Sequence, residues 1–176
     1  RFPDEHSRVI AATLDSPGGE IRLVNGYFVN GQAPGTPKFD YKMSWLRGLC
    51  DYVRSELERH PRLALLGDFN IAPEDRDSFD PEGLRETIHH TTEERTHFRK
   101  LTELGLCDSF RLFEQPERSF SWWDYRMLGY QKNRGLRIDH ILVSESLKPE
   151  VKACTIDRTP RKWKQPSDHA PVTLEI

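Results

Sequence analysis

Apolar positions along the chain repeat with two different periods. Short alternating or continuous apolar runs at Arg8–Leu14, Glu20–Phe28 and Leu63–Leu66 predict strands. The Ser16-Pro17-Gly18-Gly19 turn between the first two predicts a hairpin. From Lys38 to His60 the spacing changes: Phe39, Met43, Leu46, Leu49/Cys50, Val53 and Leu57 recur at helical intervals. Thr91 with Glu94 predicts a capping box for a helix running to Leu104, with Gly105 as its stop. Further strands are expected at Phe120–Tyr125, Leu136–Ser144, Val151–Asp157 and Val172–Ile176, joined by long loops at Tyr125–Gly135 and Arg158–Asp168. Helices packed over β-sheet, an α/β architecture, account for this alternation.

Composition narrows the class. The 176 residues suit one domain, 1–176, with a sizeable core. No apolar run approaches the ~18 residues of a membrane helix, and neither a signal peptide nor a polybasic tail opens the chain. Cys50, Cys107 and Cys154 are odd in number and far apart, which fits neither a disulfide framework nor a zinc site and suggests a reducing compartment. The first residue is Arg, and a strand-like run follows almost at once. The expectation is that a working part of the protein lies upstream. Net charge is −2, but the charge is unevenly placed. Arg118–Arg137 holds five bases and one acid, and Arg158–Lys164 four bases and no acid. Such stretches can attract a polyanion through their local field, although solvated loops give the same count.

Four clusters could carry chemistry, each where a predicted strand ends. Gly67-Asp68-Phe69-Asn70 places a carboxylate and an amide two residues apart, able to hold and orient a water; a Gly-Asp turn can also be a plain strand terminator. Pro166-Ser167-Asp168-His169-Ala170-Pro171 presents an acid beside an imidazole in a stiffened turn. In Arg137–Val143, period-2 alternation puts Asp139 on the core face with Ile141 and Val143. A buried carboxylate there needs a partner, for which His169 is the candidate and a structural Arg the alternative. Trp122 and Trp123 must point to opposite faces, so at least one is not simply core. With the basic loop that follows, the pair looks like an aromatic platform beside phosphate-binding cations, suited to an unstacked nucleotide. His89-His90 sits in a polar stretch without carboxylate support and reads as a solvated loop feature.

Taken together, these clusters resemble the exonuclease III family of DNA-repair nucleases, within the endonuclease/exonuclease/phosphatase superfamily. The stretches Val24-Asn25-Gly26-Tyr27-Phe28, Leu66–Pro73, Phe120–Arg126, Asn133–Asp139 and Pro166–Pro171 run in family order. The Phe-Ser-Trp-Trp-Asp-Tyr-Arg element is the most specific, and disfavours a lipid or inositol phosphatase. The resemblance implies a four-layer α/β sandwich, two packed mixed sheets with helices outside, here without its N-terminal segment. It implies that Tyr27 contacts the target phosphate, that Asp68 activates the attacking water with Asn70, and that Asp139 orients His169 toward a phosphate oxygen. Asp68, Asn70 and Asp168 would serve the metal, Mg²⁺ or alternatively Mn²⁺. Trp122 and Leu136 would wall the pocket, and Asn30 and Arg126 would touch DNA.

The family's pattern also carries a metal-ligand Glu near the N-terminus, and no glutamate of this chain stands in a matching context. The expected activity is Mg²⁺-dependent cleavage 5′ to abasic sites, with removal of nucleotides and blocking groups from 3′ ends of duplex DNA, by a cytoplasmic monomer with no membrane partner. The rival reading is a catalytically silent fragment or DNA-binding module. A further expectation is an open sheet edge or apolar patch beside the first strands.

Overall fold

The computed structural model describes Phe2, Asp4 and residues 6–176. Strands β1 (Val9–Leu14) and β2 (Ile21–Tyr27) pair antiparallel around the Ser16–Gly19 turn. Helix α1 (Pro37–Arg59) crosses over, and β3 (Leu63–Asp68) returns parallel to β2. Thr36 caps α1 through Phe39 N, and Pro37 suits a first turn that needs no N–H donor there. Helix α2 (Thr92–Glu103) begins with the Thr91/Glu94 box, both bonds of which form, and Gly105 follows it at a φ of +93°. Then come β4 (Leu106–Asp108), β5 (Trp122–Trp123), β6 (Gly135–Leu136), β7 (Asp139–Ser144), β8 (Ala153–Ile156) and β9 (Val172–Glu175).

Among the described residues the main sheet is mixed, in the order β1-β2-β3-β7-β4, beside the small pairs β5-β6 and β8-β9. Strand alternation divides its side chains between two cores. Leu63, Leu65 and Leu142 face α1 and α2, packing with Leu46, Leu49, Val53 and Phe98. Ala64, Ile141 and Val143 face the other way, against Leu147, Val172 and Leu174 of the β8–β9 side. A strand buried on both faces must be apolar at every position, which is why Leu63–Leu66 is a continuous apolar run. Among the described residues β1 is the first strand of the sheet, paired only with β2, and its Ile10 and Leu14 are 70% and 51% exposed.

The later strands differ from the expected bounds. Phe120–Tyr125 is a strand only at Trp122–Trp123, and Leu136–Ser144 is broken at Arg137-Ile138. The donors in the break go elsewhere: Arg137 N to Asp77 O, and Ile138 N and Asp139 N to Ser121 Oγ. Short β4 was not foreseen. No helix among the described residues is long and apolar enough to cross a membrane.

Candidate active site

The site forms where three strands meet. Register places Tyr27, the last residue of β2, beside Asp68, the last of β3, which in turn faces Asp139, the first of β7. By alternation all three point to the face of Ile21, Ala64 and Ile141, one strand spacing apart, about 4.8 Å. Gly67 permits the close approach of β2 and β3: its φ is +136°, and a Cβ there would lie 1.9 Å from Gly26 O. Directly after the strand ends, Phe28 and Phe69 stack at 4.0 Å, both fully buried, and anchor the edge.

Asp68 is held by the turn it begins. Its Oδ1 accepts from Asn70 N at 2.9 Å, and its Oδ2 from Asn70 Nδ2 at 3.0 Å. Asn70 adopts a left-handed φ of +53°, which Asn tolerates better than most residues. Its Nδ2 also donates to Phe28 O, and its Oδ1 accepts from Asn30 Nδ2 at 3.1 Å. His169 Nδ1 lies 2.9 and 3.0 Å from the two oxygens of Asp139, leaving Nε2 as the free ring nitrogen. Of the two partners weighed for Asp139, the fold brings His169 to it, while Arg137 turns to Asp77 and Asp108.

The Asp168-His169 turn is docked on β5. Trp123 N donates to Asp168 O, Ala170 N to Ser121 O, and Trp122 bridges His169. Trp122 Nε1 donates to Asp168 Oδ2 at 3.0 Å. The two tryptophans do part company: Trp123 is fully buried, whereas Trp122 is half-buried and looks into a groove of about 680 Å³. Asn30, His89, His90, Leu136 and Arg126 line the same groove. Tyr27 is exposed beneath the Arg8 guanidinium, 5.3 Å from its ring centre.

Charge accumulates at the strand edge. Burial, with Asp139 alongside, pushes the Asp68 carboxyl up to about 6, against the opposing pull of His169. Burial works against a charged His169, but the bond and charge of Asp139, with Asp68 and Asp168, prevail and raise its pKa. Among the described residues, Asp68, Asp139 and His169 bring ligand atoms within 4.8 Å of one another. Asp168 is outside that trio, on Trp122. An oxygen-rich donor set without thiolate fits a hard cation such as Mg²⁺ or Mn²⁺.

Two expectations change. His89 and His90 are buried, not solvated: His89 Nδ1 bonds Asn70 O at 2.7 Å, and His90 Nε2 lies 3.0 Å from Ser78 Oγ. The loop folds under the groove, and its polar atoms find partners there; burial holds His89 neutral, down to about 3. Arg161, within the basic run Arg158–Lys164, is buried among the Trp123, Tyr125 and Tyr130 rings and unavailable to a phosphate. Arg126, by contrast, is exposed as expected of a residue that could reach DNA, and pairs with Asp124, NH2 lying 2.7 Å from Oδ2. Lys42 and Glu94, both fully buried behind Asn70, were not anticipated as parts of the site. The only sequence signal for either is the capping box, which explains Glu94 without reference to Lys42.

Residues 2–169 match the Endonuclease/Exonuclease/phosphatase family. The chain belongs to it. Within that family it is similar to exodeoxyribonuclease III of Haemophilus influenzae, 37% identical over 181 residues, covering 98% of this chain and 68% of the relative. It superposes on a 3′ phosphatase from Neisseria bound to a product DNA hairpin, with TM-score 0.93 and 46% identity over 98% of this chain and 66% of that one. An AP endonuclease from Archaeoglobus fulgidus gives TM-score 0.89 and 30% identity over 100% of this chain and 68% of that one. The chain therefore spans about two thirds of the length of each. This family member thus has the α/β fold of exonuclease III and AP-endonuclease proteins, with Asp68 and Asp139 lining one pocket and Asn30 and Trp122 lining the groove next to it.

Proposed function

We propose that this protein is a divalent-metal-dependent DNA phosphoesterase of the exonuclease III type, working chiefly at 3′ ends. The observation that carries the proposal is the row Tyr27–Asp68–Asp139, closed by His169 and joined through Asn70 to Asn30 and through His169 to Trp122, two residues that line an aromatic-walled groove. Emphasis on 3′ ends rests on the higher identity to the Neisseria 3′ phosphatase than to the Archaeoglobus AP endonuclease. Cleavage 5′ to abasic sites is the second reading, supported by that same AP endonuclease.

In this reading Asp68 and Asn70 would hold the metal, with Asp168 joining them from its bond to Trp122 Nε1, and the ion would neutralise charge on the target phosphate. Asp68 takes the proton of the attacking water. Asn70, bonded to both Asp68 oxygens, fixes its orientation. The water adds to phosphorus as the ester P–O bond breaks, and the sugar oxygen leaves. His169, whose pKa Asp139 raises against the effect of burial, donates from Nε2 to a phosphate oxygen as charge grows on it. Tyr27 contacts the phosphate, Trp122 and Leu136 wall the terminal sugar, and Asn30 and Arg126 touch the strand.

The test is incubation with Mg²⁺ or Mn²⁺ and two duplexes, one ending in a 3′-phosphate and one containing a single abasic site. Phosphate release faster than nicking is the expected result. Nicking alone would move the assignment to abasic cleavage. Retention of both duplexes without hydrolysis would replace it with a DNA-binding module.

A further inference from the structure

A lysine in the interior is costly unless all three of its N–H groups are satisfied. Lys42, fully buried on α1, meets that condition. Its Nζ donates to Asn30 O at 3.1 Å, to Asn70 O at 2.8 Å and to Glu94 Oε1. Glu94 is equally buried and equally engaged: Oε1 also accepts from His89 N, and Oε2 from Thr91 N and Thr91 Oγ1. Asn70 O takes a second bond, from His89 Nδ1.

The destination of these bonds is informative. Stability alone does not explain a buried ion pair, since an apolar pair of similar volume often serves as well or better. Two of the three lysine bonds go to the carbonyls of residues whose side chains meet at the site, Asn30 and Asn70. These residues belong to different loops, one after β2 and the other after β3. Asn70 must also be kept at a positive φ, a conformation that costs about 1 kcal/mol or more. Its carbonyl is gripped from behind by Lys42 and His89, while its side chain grips Asp68 in front.

We infer that Lys42, with Glu94 as counter-ion, is a positioning residue that sets the Asn30 and Asn70 side chains for the reaction. It touches neither substrate nor metal in this role. Its kinetic consequence rests on the hydrolase reading above; its structural consequence does not.

The test uses the full chain carrying Lys42→Met together with Glu94→Gln, which removes both buried charges and keeps a capping-box residue at position 94. With ¹⁵N-asparagine labelling, the Asn30 and Asn70 side-chain amides should lose their separate shifts and exchange faster with water, while the melting transition stays cooperative. The kcat for 3′-phosphate release should fall about tenfold to a hundredfold, as expected for a misplaced catalytic group, with KM nearly unchanged. That loss should vanish when the pair is changed in an Asn70→Ala background. Unmoved amides in a folded variant would overturn the proposal, as would a rate loss that persists undiminished without the Asn70 side chain. Should the double variant fail to fold, Lys42→Gln is read by the same amides, and failure of both to fold assigns the pair to the fold alone and overturns the positioning role. If the unaltered protein hydrolyses nothing with either metal, the functional reading fails, and the amide comparison still decides this one.

Discussion

Two charged clusters lie near the two ends of the break between β6 and β7, and they are built on opposite terms. Behind the sheet, Arg137 spans Asp77 and Asp108, with Nε 2.6 Å from Asp77 Oδ1 and NH2 2.7 Å from Asp108 Oδ2, and Arg111 also reaches Asp77. Two arginines meet two aspartates. Although burial opposes its charge, Asp77 is driven below the usual carboxylate range by Arg137 and Arg111. At the strand edge, Asp68 and Asp139 share one histidine, and Asp68 is pushed upward instead. The balanced cluster holds the fold, whereas the unbalanced one stores negative charge that a bound cation would relieve. The difference lies in the partners each carboxylate is given, since burial disfavours the charge of both.

Replacing one acid in each cluster should therefore have opposite effects. Asp68→Asn should lower hydrolysis by about 10²- to 10⁴-fold, the usual range for a lost general base. The same change should stabilise the fold at pH 7–8 by about 3 kcal/mol or less, because a pKa of about 6 instead of 3.8 marks a charge the folded state disfavours. A lower melting temperature for this variant would break the comparison. Asp77→Asn should do the reverse, leaving Arg137 and Arg111 without their shared counter-ion at about 3–5 kcal/mol, measured by urea unfolding.

Trp122→Ala separates groove from core. It should weaken binding to a 3′-ended duplex by about 1–3 kcal/mol with little change in melting temperature, while Trp123→Ala, at a fully buried position, should mainly unfold the protein. A large melting shift for Trp122→Ala with unchanged binding would return that residue to the core.

The pH dependence sharpens the contrast further. The raised pKa of Asp68 means its charge opposes folding above about 6, and that penalty is relieved as pH falls from 6 toward the unfolded value. The raised pKa of His169 adds stability present below its unfolded value, which is lost as pH rises through the folded one. Both predict lower melting temperatures at pH 8 than at pH 6. Asp139→Asn should lower the His169 pKa and flatten that slope; an NMR titration with His169 unmoved would refute the coupling.

The smallest effect concerns salt. Lys132, Arg134, Lys162 and Lys164 are exposed, whereas Arg161 is caged. With about three of the exposed cations on phosphates, log K for duplex DNA should fall against log[salt] with a slope of about −2.7. Arg161→Gln should leave that slope unchanged; a shallower slope would make Arg161 a phosphate contact after all.

Local rules determined much of this protein. The β1–β2 hairpin, α1 and the capped start of α2 follow from turn residues, helical spacing and an N-cap, each legible within a few positions. The same is true of Asp68 with Asn70, and of the alternation that turns Asp139 toward Ile141. What spacing along one chain does not contain is the partner across the fold. His89 and His90 lie in a stretch with no periodicity, and only the loop's return beneath the groove makes them interior. Lys42 occupies the apolar side of α1, three residues after Phe39, where a charge looks misplaced until Asn30, Asn70 and Glu94 surround it. Arg161 reads as one more base in a basic run, yet three rings from a distant segment enclose it. Backbone periodicity is set by neighbours in sequence, and the worth of a charge by neighbours in space. Only the tertiary structure decided which charges were spent on the fold and which were left unbalanced at the strand edge.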